Sequence, residues 1–173
     1  QPDRRYVTSG FSRTGVEHMA TYQTWLVSTM RGVTVVSPFM HSPWGWATCE
    51  TLHFIGLSLL IGMIGTFDLR LLGVGTRVPI AALHKLIPWG VAGYVINVTT
   101  GVMFLVTEPD QYIFNPAFQF KLLFMGLAGV NVLAFYLTLF GTMKTLGPGA
   151  DAPRAARIVG ATSLFLWTAV IVC

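Results

Sequence analysis

The sequence predicts an all-α integral membrane protein, a four-helix up-down bundle preceded by an amphipathic helix outside the membrane. Three observations support this fold class: 53% of the 173 residues are hydrophobic, only 10% are charged, and the mean hydropathy is +0.63. Soluble domains carry roughly 25% charged residues. The composition therefore excludes disordered chains, disulfide scaffolds and most water-soluble folds.

Residues 1–46 form the first of two predicted regions, a segment that faces outward and does not cross the membrane. Its apolar side chains recur at helical spacing, at Met19, Tyr22, Leu26 and Met30. This spacing predicts an amphipathic helix over residues 16–31 that lies on the membrane surface or caps the bundle. An outward segment and a start at Gln1 together indicate a removed signal peptide or a start further upstream.

Four apolar runs make up the second region, residues 47–173, and each approaches the roughly 20 residues that cross a bilayer core. The predicted spans are 47–67, 80–106, 117–142 and 155–173. A soluble core helix can be this apolar, but four such runs in one short chain are better explained by lipid. The connectors are short and rich in Gly and Pro, so consecutive helices are predicted to be antiparallel neighbours.

Lysine and arginine in the short connectors predict the orientation of the spans. The first and third connectors hold most of these basic residues, including Arg70, Arg77, Lys144 and Arg154. The second connector has none and carries two acidic residues. The first and third connectors are therefore predicted to face the cytoplasm of a bacterial inner membrane, with the N-terminus outward (periplasmic). The arginines at positions 4, 5, 13 and 31 oppose this orientation.

Metal-ligating side chains gather just before and within the start of the first span. They are Met40, His41, Cys49, Glu50 and His53. Cys49 and Glu50 precede His53 by four and three residues, so these side chains share one helix face. Sulfur and imidazole suit copper, whereas imidazole with carboxylate suits iron or zinc. The alternative is structural, with Glu50 and His53 bonded to each other, to Lys121 or to backbone at the helix end.

A b-type haem is a separate alternative, because such a haem takes two axial ligands from facing helices. His53 lies near the outer end of the first span and His84 near the inner start of the second, so they are not expected to share one iron. His53 can pair with Met103, which lies near the outer end of the second span. For His84 the nearest partner is Tyr136, and the alternative is an interfacial histidine that faces lipid headgroups.

Polar and small residues inside the spans predict how the helices pack. Asn97 and Asn131 are expected to hydrogen-bond across helix pairs, for about 0.6 to 2 kcal/mol each, or else to belong to a polar pathway. Asp68 and Arg70 are expected to lock the first connector by an ion pair, or to dock a partner. Glycines mark faces where helices can approach closely, at Gly90, Gly93, Gly126 and Gly129.

Several of these landmarks occur in the same order in a bacterial family of small integral membrane proteins, the DUF6644 type, which the chain resembles. The matching strings are residues 50–57, 67–73, 86–90, 100–101, 115–118 with Lys121, and 163–167. The resemblance covers most of residues 45–173, and its most specific parts are the string 68–73 and the Pro88-Trp89 pair. It implies four spans and a histidine at the head of the first, but no reaction. Members frequently carry histidine where this chain has Tyr136.

The predicted function is that of a small non-catalytic subunit of a larger inner-membrane complex linked to redox or metal chemistry. No P-loop, Ser-His-Asp set, HExxH or CxxC motif is present in the sequence. The predicted partners are the lipid bilayer and other membrane subunits. The net charge of +4 comes from scattered residues without a basic patch, so nucleic acid is not a predicted partner. The alternative is a stand-alone electron carrier with haem b, or a copper-handling membrane protein.

Overall fold

The computed structural model describes residues 13–31, 36–147 and 149–173, with the backbone alone for residues 13–19 and 31. Across these ranges the chain forms helices and no strand. The helices are α1 (Arg13–Arg31), α2 (Ser37–Met40), α3 (Gly45–Leu71), α4 (Ile80–His84), α5 (Ile87–Thr107), α6 (Pro109–Ile113), α7 (Pro116–Thr138), α8 (Phe140–Met143) and α9 (Arg154–Val172). The arginines at positions 4 and 5 and the side chains of Met19, Arg13 and Arg31 lie outside the described part.

Four helical stretches are long and apolar enough to cross a bilayer: α3, α4 together with α5, α7, and α9. The predicted all-α fold of membrane type is therefore confirmed. The observed helix ends differ from the predicted ones by at most four residues. Helix α3 ends at residue 71 where 67 was predicted, and α7 ends at residue 138 where 142 was predicted. Hydropathy located these helices well because each apolar run is bounded by helix-breaking connectors.

The second span is not the continuous helix that was predicted, because α4 ends at His84 and α5 begins at Ile87. Pro88 lies in the first turn of α5. A proline ring lacks an N–H and clashes with the carbonyl four residues earlier, which here belongs to His84. The chain therefore turns at this point, and His84 lies at the end of a short separate helix.

The long helices lie in the order α5, α3, α9, α7, because α3 packs against both α5 and α9, and α7 packs against α9. We call the end where α3 begins the Cys49 end, and the end where α3 finishes the Arg70 end. Helices α3 with α5, and α7 with α9, are antiparallel neighbours as predicted. Helices α5 and α7 do not form a packed pair, and a cleft of about 260 Å³ lies between them.

Helix α1 packs against α5 and α6, and so covers part of the Cys49 end. Its packed side includes Val27, which is 9% exposed, with Leu26 and Met30 half-buried beside it. Tyr22 was predicted to share this face, but it is 58% exposed and stacks on Trp25 with ring centroids 6.2 Å apart. The exposed aromatic pair suits the headgroup region, where tyrosine and tryptophan are enriched.

Helices α3 and α5 approach closely at a pair of glycines. A Cβ atom added to Gly93 would lie 2.6 Å from the Gly56 oxygen and 2.8 Å from the Leu60 nitrogen. A Cβ atom added to Gly90 would lie 2.9 Å from the side chain of Ile64. The backbone contacts at Gly93 admit only glycine, whereas at Gly90 the tip of Ile64 would have to move, so the predicted close-packing face is confirmed for α5.

Candidate functional site

His53 lies on α3 and faces α5, where its Nδ1 is 2.8 Å from the hydroxyl oxygen of Thr100. That hydroxyl donates within its own helix, to the carbonyl of Ile96 at 2.8 Å or of Asn97 at 3.1 Å. Since a hydroxyl has one proton, Nδ1 of His53 is assigned as the donor to Thr100. The lone pair of the imidazole is then on Nε2, which is the nitrogen left to bind a metal.

The two intramembrane asparagines each bridge a helix pair, as predicted. The amide nitrogen of Asn97 on α5 donates to the carbonyl of His53 on α3 at 3.2 Å. The amide nitrogen of Asn131 on α7 donates to the carbonyl of Val159 on α9 at 3.1 Å. Both bonds satisfy polar groups that lipid cannot.

Three sulfur-containing residues, Met40, Cys49 and Met103, pack in or against one buried cluster at the Cys49 end, which we call the sulfur cluster. Cys49 is 1% exposed, and its Sγ is 3.7 Å from the carbonyl oxygen of Thr100, the residue that also bonds His53. Met40, 2% exposed, belongs to the same buried cluster as Cys49, and Met103 packs against that cluster. Cys49 and Met103, from two predicted site sets, therefore meet in one cluster.

The other two predicted metal ligands face elsewhere. His41 is exposed, and its Nδ1 donates to the carbonyl of Ser37 at 2.8 Å. Glu50 is exposed, and in the described part of the chain it forms no ion pair with Lys121. No three His, Cys, Asp or Glu side chains among the described residues gather closely enough to hold a metal ion. Of the five predicted ligands, Cys49 and His53 both contact Thr100, and Met40 shares the buried cluster of Cys49.

Tyr112 on α6 lies half-buried over this cluster. Burial raises the pKa of its phenol, and the nearby acidic groups of Cys49, Glu108 and Glu50 raise this pKa further. Because an ordinary tyrosine pKa is already about 10, the phenol is neutral at physiological pH. Tyr112 therefore offers a hydroxyl at this end of the bundle, without a charge.

His84 lies at the Arg70 end, where its Nε2 is 3.1 Å from the hydroxyl of Tyr136 on α7. Its ring packs on Phe140 with centroids 4.7 Å apart. The residue predicted to lie nearest His84 is therefore its hydrogen-bond partner. Thr100 lies 13 residues into α5 from its start at Ile87, about 20 Å of helix at about 1.5 Å per residue, and His84 lies before that start. His84 and His53 thus lie at opposite ends of the hairpin and cannot share one iron.

Arg70 is 1% exposed and joins the two connectors at its end of the bundle. Its Nε donates to the carbonyl of Val78 at 2.8 Å, and its Nη2 to the carbonyls of Thr76 and Ala150, both at 3.1 Å. The predicted ion pair with Asp68 does not form, because the guanidinium turns to backbone carbonyls instead. The first connector is locked as expected, but by a different set of bonds.

Asp68 is a buried acidic residue that the sequence did not place in a site. It is 4% exposed and lines a cavity of about 50 Å³, together with Asn131, Ser163 and Tyr136. Ser163 of α9 interacts with the carboxyl group, whereas Oδ2 has no hydrogen-bond partner among the described residues. The available signal was an acidic residue one position after the predicted first span, which had been assigned to the connector.

No protein-family model, curated protein or solved structure matches this chain. The resemblance to the DUF6644 type therefore stays a prediction that depends on the quoted motifs. The function proposed below depends on the geometry of the two ends and of the cleft between α5 and α7.

Proposed function

We propose that the chain is a small non-catalytic subunit of a larger bacterial inner-membrane complex linked to redox or metal chemistry. The observation that carries this proposal is the cleft between α5 and α7, which can receive side chains from a transmembrane helix of a partner subunit. Helices α5 and α7 form consecutive spans, yet they do not pack together, and the cleft lies between them. A partner helix placed there would complete the packing that the chain alone leaves open.

The cleft has an apolar floor and two walls from different helices. Its floor includes Leu60 and Ile64 of α3 and Trp167 of α9. The walls come from α5 and α7, with Gly90, Val91, Tyr94, Met125, Gly129, Val132 and Tyr136. Small residues among larger ones let a further helix approach closely inside a bilayer.

Two groups in or beside the cleft have no partner within the described chain. A Cβ atom added to Gly126 or Gly129 would meet no atom within 4 Å, so the predicted close-packing face of α7 is open. The indole nitrogen of Trp167 is buried and has no acceptor among the described residues. A helix in the cleft that carries a hydroxyl or a carbonyl near Trp167 would satisfy this donor.

Substitution of Gly129 tests the proposed docking. The Gly129→Leu variant should fill the cleft, so partner subunits that co-purify with the wild-type chain in mild detergent should be lost. Gly62→Leu is the matched control, because a Cβ atom there also meets nothing but Gly62 lies on α3 outside the cleft. A wild-type chain that purifies as a lone monodisperse monomer, or equal retention by both variants, would contradict the proposal.

The proposed orientation places the Arg70 end in the cytoplasm and the N-terminal segment outward. It is supported by the residues at the two ends, with Arg77, Lys85, Lys144 and Arg154 at one and Glu108 and Asp110 at the other. Because four spans return the chain to its starting side, a periplasm-dependent reporter fused after Cys173 should be active. Activity of a cytoplasm-dependent reporter at that position would reverse the orientation.

Copper handling is the second candidate function, and the sulfur cluster at the Cys49 end is the observation that favours it. Met40 and Cys49 share one buried cluster, Met103 packs against it, and Cys49 and His53 both contact Thr100. Soft sulfur ligands with imidazole select copper in its reduced state. These residues fit such an ion, which would be held at the outer end of the bundle.

Metal titration separates this candidate from a purely structural cluster. The purified chain should bind Cu(I) in competition with a chromogenic chelator, and Cys49→Ser should weaken binding at least tenfold. Cys173→Ser is the matched control, since Cys173 lies at the end of α9 outside the cluster. Equal binding by both variants would contradict a site at Cys49.

The haem alternative has its own optical test. A haem absorption band in the natively purified protein that disappears in His53→Ala would support a b-type haem on His53 and Met103. A protein without such a band would remove this alternative while leaving the subunit and copper proposals open.

A further inference from the structure

We infer that the cavity between α3, α7 and α9 is a proton-binding site, in which Asp68 takes up and releases a proton that reaches it through Tyr136 and His84. The site lies near the Arg70 end, away from the sulfur cluster. Tyr136 also lines the cleft, whereas Asp68 does not, so substitution of Asp68 tests the site independently of the proposed function.

The site is built around a buried carboxyl group with an unused oxygen. Asp68 is 4% exposed and lines the cavity, and its buried Oδ2 has no hydrogen-bond partner among the described residues. The cavity volume of about 50 Å³ exceeds the roughly 10 to 15 Å³ that one water needs. Asn131 and Ser163 line the same cavity and supply the polar contacts that water requires. The cavity beside Asp68 is therefore suited to water.

A carboxylate in this position needs neutralisation. An ionised group inside a bilayer is costly unless it is protonated or paired. Neither nearby arginine supplies a pair, since Arg70 donates to three backbone carbonyls and Arg157 pairs with Asp151 at 3.3 Å. The cavity lining contains no Lys, Arg or His. A proton is the smallest species that can neutralise Asp68 there.

Tyr136 and His84 connect the cavity to the bundle end. Tyr136 lines the cavity, and its hydroxyl is 3.1 Å from Nε2 of His84. His84 is half-buried at the end of α4, and histidine is the side chain that most readily changes charge near neutral pH. A tyrosine hydroxyl can accept one proton while donating another. The pair therefore provides a relay between the interface and the cavity.

During uptake, a proton is transferred at each link between His84, Tyr136, a cavity water and Asp68. The imidazolium of His84 gives its Nε2 proton to the oxygen of Tyr136, and the Tyr136 hydroxyl gives its own proton to a cavity water. That water passes a proton to Oδ2 of Asp68, which becomes a neutral carboxylic acid. Release runs through the same groups in reverse order and returns His84 to its charged form.

The pathway is closed toward the other end of the bundle. Buried Leu60, Leu166 and Trp167 pack together between the two ends, beyond the cavity. Uptake and release therefore take place on one side only. The site binds a proton and does not conduct one across the bilayer.

Infrared spectroscopy of the purified chain tests this inference. During a pH titration in D₂O, the wild-type protein should show the carbonyl band of a buried protonated carboxylic acid. Asp68→Asn should abolish this band, and Asp110→Asn should retain it, because Asp110 is an exposed carboxyl group on α6. Tyr136→Phe should keep the band but slow its hydrogen–deuterium exchange several-fold, since the relay hydroxyl is missing.

Three results would overturn the inference. The first is an unchanged band in Asp68→Asn, and the second is equally fast exchange in Tyr136→Phe and wild type. The third is loss of the wild-type band on adding sodium, but not choline, at constant pH, because the cavity would then hold a cation. If Asp68→Asn does not fold, Ser163→Ala is measured in its place. Because this variant loses the interaction between Ser163 and Asp68, its carbonyl band should be shifted in frequency from that of the wild type. An unshifted band would count against Asp68.

Discussion

The two ends of the bundle differ in how their buried polar groups are hydrogen-bonded. At the Cys49 end, His53, Thr100 and Asn97 bond one another across α3 and α5, and the partners come from two long helices. At the Arg70 end, Arg70 bonds carbonyls of two connectors, while Asp68 keeps an oxygen without a partner in the described chain. One end satisfies its polar groups within a helix pair, and the other leaves a carboxyl group facing a cavity.

This difference indicates which polar groups stabilise helix packing and which are left to bind a proton or a metal ion. Inside a bilayer no water is available to hydrogen-bond a polar group that lacks a protein partner, so such a group occurs only beside a cavity or a ligand. The bonds around Thr100 therefore have a structural role, apart from the free Nε2 of His53. Asp68 interacts with Ser163 of α9, but its Oδ2 has no partner in the described chain and no described arginine pairs with it, which is why we infer that it binds a proton.

The largest effect is expected from removing the connector clamp. Arg70→Met removes the donor to the carbonyls of Val78 and Ala150 and one of the two donors to that of Thr76, and hydrogen bonds from a charged group contribute about 1.5 to 3 kcal/mol each. We expect a loss of more than about 3 kcal/mol, seen as a lower Tm by circular dichroism in detergent. Arg77→Met is the control, because Arg77 is exposed in the same connector. Equal Tm values for both variants would show that the clamp does not stabilise this end.

An intermediate effect is expected where α3 and α5 meet. Gly93→Ala places a Cβ atom 2.6 Å from the Gly56 oxygen, so the helices must separate, at a cost of about 1 to 3 kcal/mol. Gly62→Ala on the open face of α3 should be neutral or slightly stabilising, since alanine is the better helix former. Thermal unfolding of the two variants side by side measures the difference. A Gly93→Ala variant as stable as Gly62→Ala would mean that the close approach contributes nothing.

The smallest effect is expected from the polar network at the Cys49 end. Thr100→Val removes the hydroxyl that bonds His53, and interhelical bonds of this kind contribute about 0.6 to 2 kcal/mol. Thr51→Val is the matched control, because the Thr51 hydroxyl is exposed and bonds only within α3, to Ala47. Unfolding curves should show a lower Tm for the first variant alone. A Thr100→Val effect as large as that of Arg70→Met would remove the contrast between the ends.

Several features were predictable because they depend on local chemistry. The four long helices follow from runs of apolar residues, and the bonds of Asn97 and Asn131 follow from amides that lipid cannot satisfy. The break before Pro88 was missed because hydropathy averages over a window and does not register one ring clash. The Tyr136–His84 bond joins residues 52 positions apart, and the sequence indicated this pair only through the positions of the two residues at the same end of their spans.

The sequence by itself determined that the chain forms four long apolar helices, because burying backbone polar groups in lipid permits few other structures. It also determined which polar side chains lie inside those helices. Only the tertiary structure decided which of them meet: Cys49 and Met103 pack in one cluster, and Asp68 lines a small cavity instead of pairing with Arg70. The physical reason is that helix order and rotation depend on contacts between residues far apart in the chain, such as Gly56 against Gly93.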